Sequence, residues 1–92
     1  MKEYEALFII DPSQESSIKD VIAGIQGAIT KTNGNVSKEE NWGKKRMPYE
    51  IKKNHEGIYY KLVFSADPSE IAALKSNYKL NSSILRSTIT SK

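Results

Sequence analysis

The residues best suited to chemistry lie together in Trp42-Gly43-Lys44-Lys45-Arg46-Met47-Pro48-Tyr49-Glu50-Ile51, with Gly57-Ile58-Tyr59-Tyr60 shortly after. Three adjacent cations repel one another, so folding alone gives little reason to set them side by side. A polyanion gives one, because each cation that neutralises a phosphate releases condensed counterion. The aromatics around them can stack on bases or fill a partner's pocket. The opposing reading is a solvated hairpin whose lysines keep an edge strand from pairing with other chains. Taken alone, the segment supports both.

Catalysis has little to work with elsewhere. His55 is the only histidine and sits in a turn-like run with Lys52, Lys53, Asn54 and Glu56, where a surface role is expected. Glu39 and Glu40 are neighbours in a predicted strand, so they point to opposite faces and are expected to solvate its edge. No serine stands at a strand-to-helix elbow of the nucleophile type. Asn33-Gly34-Asn35 lacks the lysine that a phosphate loop needs. Gly57-Ile58-Tyr59-Tyr60-Lys61-Leu62-Val63-Phe64 resembles the signature of RNA-recognition modules only loosely, with its aromatics out of register and Glu56 in place of the leading cation. We therefore expect no enzyme, no cofactor and no small-molecule substrate.

Composition narrows the class. Ninety-two residues suffice for one core, so one domain over residues 1–92 is expected. The absence of cysteine excludes disulfides and thiolate metal sites and fits a reducing compartment. The longest apolar run, Ala6 to Ile10, is far short of a membrane span, and Lys2 is followed at once by Glu3 and Glu5, unlike a signal peptide. A cytosolic protein is the expectation. Fourteen Lys and Arg against 11 Asp and Glu give a net charge of only +3, so the clustering of the cations carries more information than their sum.

The elements that must position these residues follow from periodicity. Residues 2–10 alternate, with Tyr4, Ala6, Phe8 and Ile10 on one face of a strand. Asp11-Pro12-Ser13-Gln14 has the punctuation of a helix start. Ile18, Ile22, Ile25 and Ile29 then form a core-facing stripe that ends at Asn33-Gly34. Val36 to Ile51 reads as a long strand bent near Gly43, with Pro48 at an edge or bulge. Lys52 to Gly57 reads as a loop and Ile58 to Ala66 as a third strand. Asp67-Pro68-Ser69-Glu70 repeats the earlier cap, with Glu70 placed for a capping box. Ile71, Leu74 and Tyr78 give a second helix, and Ile84 to Ser91 a fourth strand in which Leu85, Ser87 and Ile89 alternate with Arg86, Thr88 and Thr90. The order βαββαβ predicts an α+β, ferredoxin-like split βαβ fold: a four-stranded antiparallel sheet with two helices on one face. Glu3, Glu5, Leu7, Ile9, Tyr59, Lys61, Val63, Arg86 and Thr88 fall on the helix-free face, a mixed surface suited to a protein partner and not to a second core.

Nearly the whole chain resembles a known family, bacterial ribosomal small-subunit protein six. The likeness rests on Lys2-Glu3-Tyr4-Glu5, on Pro12 at the first helix, and on Trp42 through Lys53 as a basic hairpin strand. Gly57 with Tyr59, and Leu85-Arg86 before a β-branched last strand, add to it. Lys44 and Lys45 stand where the family often carries arginine, which trades bidentate forks for point charges. The resemblance implies a non-enzymatic ribosomal protein that binds the central domain of small-subunit ribosomal RNA together with ribosomal small-subunit protein eighteen. In such a role Lys44, Lys45, Arg46 and Arg86 are candidates for phosphate contacts, supported by Lys2 and Lys92. Trp42, Met47, Tyr49 and Tyr59 are candidates for packing on the partner or a base, though Met47 and Tyr49 equally suit a core. The competing class is a ferredoxin-like interaction or dimerisation module that binds no RNA. An acyl-phosphate hydrolase of this topology would need an arginine-bearing loop where the chain has Asp11-Pro12-Ser13.

Overall fold

The computed structural model describes residues 1–92. Strands β1 (Lys2–Ile10), β2 (Asn35–Ile51), β3 (Asn54–Ala66) and β4 (Ile84–Ser91) form one antiparallel sheet in the order β2-β3-β1-β4. Helices α1 (Ile18–Lys31) and α2 (Ile71–Leu80) pack on one side of it. This is the expected ferredoxin-like arrangement.

The core is the helix side of the two central strands. Tyr4, Ala6, Phe8 and Ile10 of β1 and Ile58, Tyr60, Leu62, Phe64 and Ala66 of β3 meet Ile25, Ile29, Leu74 and Tyr78 of the helices. Burying each of the leucine, isoleucine and phenylalanine side chains among these contributes about 1.5–3 kcal/mol. Tyr78 sets its ring edge-on to Phe8, centroids 4.9 Å apart, and donates its hydroxyl to the Ile25 carbonyl at 2.8 Å, which ties α2 to α1.

Several local expectations change. Asp11 and Asp67 do cap, accepting from Ser13 N at 2.9 Å and Ser69 N at 3.0 Å. Each, however, opens a short 3-10 turn (Pro12–Ser17 and Pro68–Glu70), and the α-helices start only at Ile18 and Ile71. The polar run Ser13-Gln14-Glu15-Ser16-Ser17 contains nothing to bury, so it gains little from aligning with the helical stripe. Glu70 makes no return bond of the capping-box kind; the Ser69 hydroxyl donates to Asp67 instead, at 2.8 Å. The loop read over Lys52–Gly57 shrinks to Lys52-Lys53, with φ of 49° and 66°, and β3 begins at Asn54. Two left-handed residues in succession make the tight hairpin turn whose twist matches its strands.

Bulges bend β2 and re-aim β4. The β2–β3 register slips between Asn41 and Gly43, where Gly43 has φ +77° and its amide donates to the Asn41 side chain at 2.9 Å. Few residues other than glycine adopt that dihedral without strain. In β4, Arg86 lies opposite Ile9 but Ile84 lies opposite Ile10, so Leu85 is the extra residue. Strict alternation puts Leu85 on the helix side; the bulge turns it to the other face. There it joins Ile9 and Met47 in a small buried cluster, packed by Ile51 and Tyr59. The helix-free face therefore does carry a second, minor core, because the end of the β2–β3 hairpin folds across it. Gly57 makes that possible, since a Cβ there would stand 2.3 Å from Ile9 Cγ2.

Candidate nucleic-acid and protein interface

The three adjacent cations have three different surroundings. Lys44 lies opposite Ile58, on the helix side, and its ammonium reaches Glu15 of the first 3-10 turn at 3.2 Å. Lys45 lies opposite Gly57, and its ammonium sits 5.6 Å from the centre of the Trp42 ring. A cation over an indole face is attracted by the ring quadrupole and keeps its charge. Arg46 lies opposite Glu56 and forms no ion pair. Lys45 and Arg46 are thus exposed and without a carboxylate of their own.

The remaining cations also divide. Lys92 is held by Glu3 at 3.3 Å across the chain ends, whereas Lys2 makes no ion pair. Arg86 is exposed on β4 and donates to the Tyr49 hydroxyl. That bond occupies part of the guanidinium fork and leaves its other donors for an outside acceptor.

Aromatic and apolar groups gather beside these charges. Trp42 stacks on Tyr59 with ring centroids 6.4 Å apart and planes 15° apart. Trp42 remains 42% exposed and Tyr49 51% exposed. Met47 differs: at 6% exposure it already belongs to the chain's own minor core. A docking partner would meet its edge only. An apolar groove of about 270 Å³ runs along this face, lined among others by Leu7, Ile9, Ile51, Tyr59 and Arg86, with Tyr49 at its rim. Sequence periodicity did not assign Ile51 or Pro48 to it, because their placement depends on the hairpin end curling over β1.

Toward the other end the face turns acidic. Lys61 bonds Glu5 at 2.8 Å and lies 3.9 Å from Glu40. The hydrogen bond and charge of Lys61 hold the Glu5 carboxyl below its ordinary range, and Glu5 raises Lys61 in return. Glu39, expected as a solvated edge residue, instead accepts from the Tyr60 hydroxyl and from Gln26 of α1, pinning β2 to the helix layer. Burial, aided by Glu39, pushes the Tyr60 hydroxyl well above its usual range. His55 keeps to the surface, 3.4 Å from Glu50. What this surface can do chemically is hold anions, stack and bury apolar groups.

A family model described as ribosomal protein S6 matches residues 3–91. The chain is 36% identical over 90 residues to the small ribosomal subunit protein bS6 of Streptomyces coelicolor, covering 97% of this chain and 94% of that one. It is 37% identical over 91 residues to bS6 of an Arthrobacter strain, covering 98% and 90% of the two chains. The crystal structure of 30S ribosomal protein S6 from Thermotoga maritima matches with a TM-score of 0.92 at 28% identity, over 99% of this chain and 87% of that one. The chain belongs to the bacterial ribosomal protein S6 family, whose members are structural, non-enzymatic constituents of the small subunit of the cytoplasmic ribosome.

Proposed function

We propose that residues 1–92 act as one ferredoxin-like unit that binds the central domain of small-subunit ribosomal RNA, alongside ribosomal small-subunit protein eighteen. The observation that carries this reading is the state of Lys45 and Arg46: exposed, without carboxylate partners, and next to an open aromatic and apolar surface. The cations contact backbone phosphates, Arg86 and Lys2 with them, and they fix position more than base sequence. Lys44 and Lys92 join only by exchanging their carboxylates for phosphates. The groove and the stacked Trp42–Tyr59 pair receive the protein partner, with Tyr49 at the rim.

Filter binding of a central-domain transcript across a salt series tests the RNA half. The Lys45→Ala/Arg46→Ala variant should bind more weakly at low salt, and its log affinity should fall less steeply with log salt, by about one unit per cation removed. An unchanged slope would contradict the assignment. A stable homodimer with no RNA affinity would favour the interaction-module reading instead.

A further inference from the structure

A hollow of about 620 Å³ opens where the β2–β3 turn, α2 and the outer edge of β4 meet. Lys52 enters it from the turn, Lys75 and Lys79 from α2, and Arg86 from β4, while no Asp or Glu lines it. All four cations are exposed, and none is paired with a carboxylate. Ser87 adds a hydroxyl. Strand β4 bonds only to β1, so its outer edge presents unpaired amide groups.

Charges of one sign converging from three elements need an explanation. Lys75 and Lys79 stand one turn apart on the same helix face, where like charges repel. The negative end of the α2 dipole accounts for Lys79, which lies in the last turn. It does not account for Lys52 or Arg86, which arrive from elsewhere in the chain. β2 and β4 occupy opposite edges of the sheet, and only the curled hairpin end brings Lys52 to β4.

We propose that this hollow is a second RNA-backbone site, in which Lys52, Lys75 and Lys79 act as point charges and Arg86 supplies the remaining arms of its fork to successive phosphates. The proposal rests on the RNA-binding reading above and extends it from the β2 ribbon to the opposite edge of the sheet. The hollow would carry the contact beyond Lys45 and Arg46, round the curled hairpin end to α2 and β4, and so lengthen the stretch of backbone held.

The test uses the full chain with protein eighteen and a central-domain transcript, read by fluorescence anisotropy over a salt series. Lys75→Gln/Lys79→Gln should weaken binding about tenfold at low salt and flatten the log–log salt slope by nearly two. Lys75→Arg/Lys79→Arg should restore both. Lys19→Gln/Lys31→Gln on α1 removes the same charge away from the hollow and should change little. Equal losses from the two glutamine pairs would reduce the effect to net charge and overturn the proposal. No loss from the hollow pair would overturn it too, while a loss in Lys45→Ala/Arg46→Ala would leave the ribbon assignment standing. Loss from the hollow pair without loss from the ribbon pair would uphold the hollow and sink the ribbon. Saturable binding of inorganic phosphate at the hollow, with RNA affinity untouched by the hollow pair, would assign a small-anion site and overturn the RNA proposal.

Discussion

Lys44, Lys45 and Arg46 are chemically alike and adjacent, yet each has a different neighbour to give up before it can hold a phosphate. Lys44 must release Glu15, Lys45 leaves only an indole face, and Arg46 leaves water. Exposed ion pairs are worth at most about 1 kcal/mol, so the difference is modest but measurable. Lys45→Ala should therefore cost more RNA affinity than Lys44→Ala, and Glu15→Gln should bring the contribution of Lys44 up toward that of Lys45 in the same binding assay. The residue types of this ribbon are plain in the sequence. Their division among partners is not, because it depends on the slip at Trp42 and on a 3-10 turn distant in the chain. Glu5 offers a second test. Its folded carboxyl lies below the ordinary value of 4.5, so the unfolded chain binds the proton more readily. The Glu5–Lys61 contribution is present above that value and is lost as pH falls through the lowered folded one. Urea midpoints measured from about pH 6 down to 3 should decline less steeply in Glu5→Gln than in the parent. Parallel curves would deny the pair a role.

At the scale of elements, alternation and cap punctuation located all four strands and both helices, since each buries a regular stripe against the same core. Bulges escaped it. A single extra residue at Leu85 reverses the side on which that side chain lands, and periodicity carries no mark of where a ladder slips. The hairpin turn escaped for another reason. Lys52-Lys53 has none of the Asn or Gly that normally announces two left-handed residues. That mismatch is a local cost of about 1–2 kcal/mol per residue. Lys53→Gly should accordingly stabilise the fold, raising the free energy of unfolding by up to about 1 kcal/mol, because glycine relieves the dihedral but adds freedom to the unfolded chain. Thermal or urea unfolding reads this directly, and a destabilised variant would mean that the Lys53 side chain packs more than its exposure implies.

For the molecule as a whole, the helices cover one face of the sheet, while the curled hairpin end covers part of the other and leaves a groove beside it. Net charge of +3 is small, and the charge is unevenly placed: cations at the β2 ribbon and at the β4 edge, carboxylates around Lys61. On the RNA-binding proposal, so small a net charge predicts weak attraction to RNA by this chain alone, with the protein partner supplying the remainder. The membership of the family was legible in the Trp42–Lys53 hairpin, the most specific stretch of the chain. The hollow at β4 was not, since its four cations lie far apart in sequence and meet only after folding. The most direct test measures the affinity of a central-domain transcript for this chain alone, for protein eighteen alone and for the two together at one salt concentration. The pair should bind far more tightly than either protein by itself. Equal affinity of this chain alone and of the pair would contradict shared binding, and with it the assignment of the helix-free face to a protein partner.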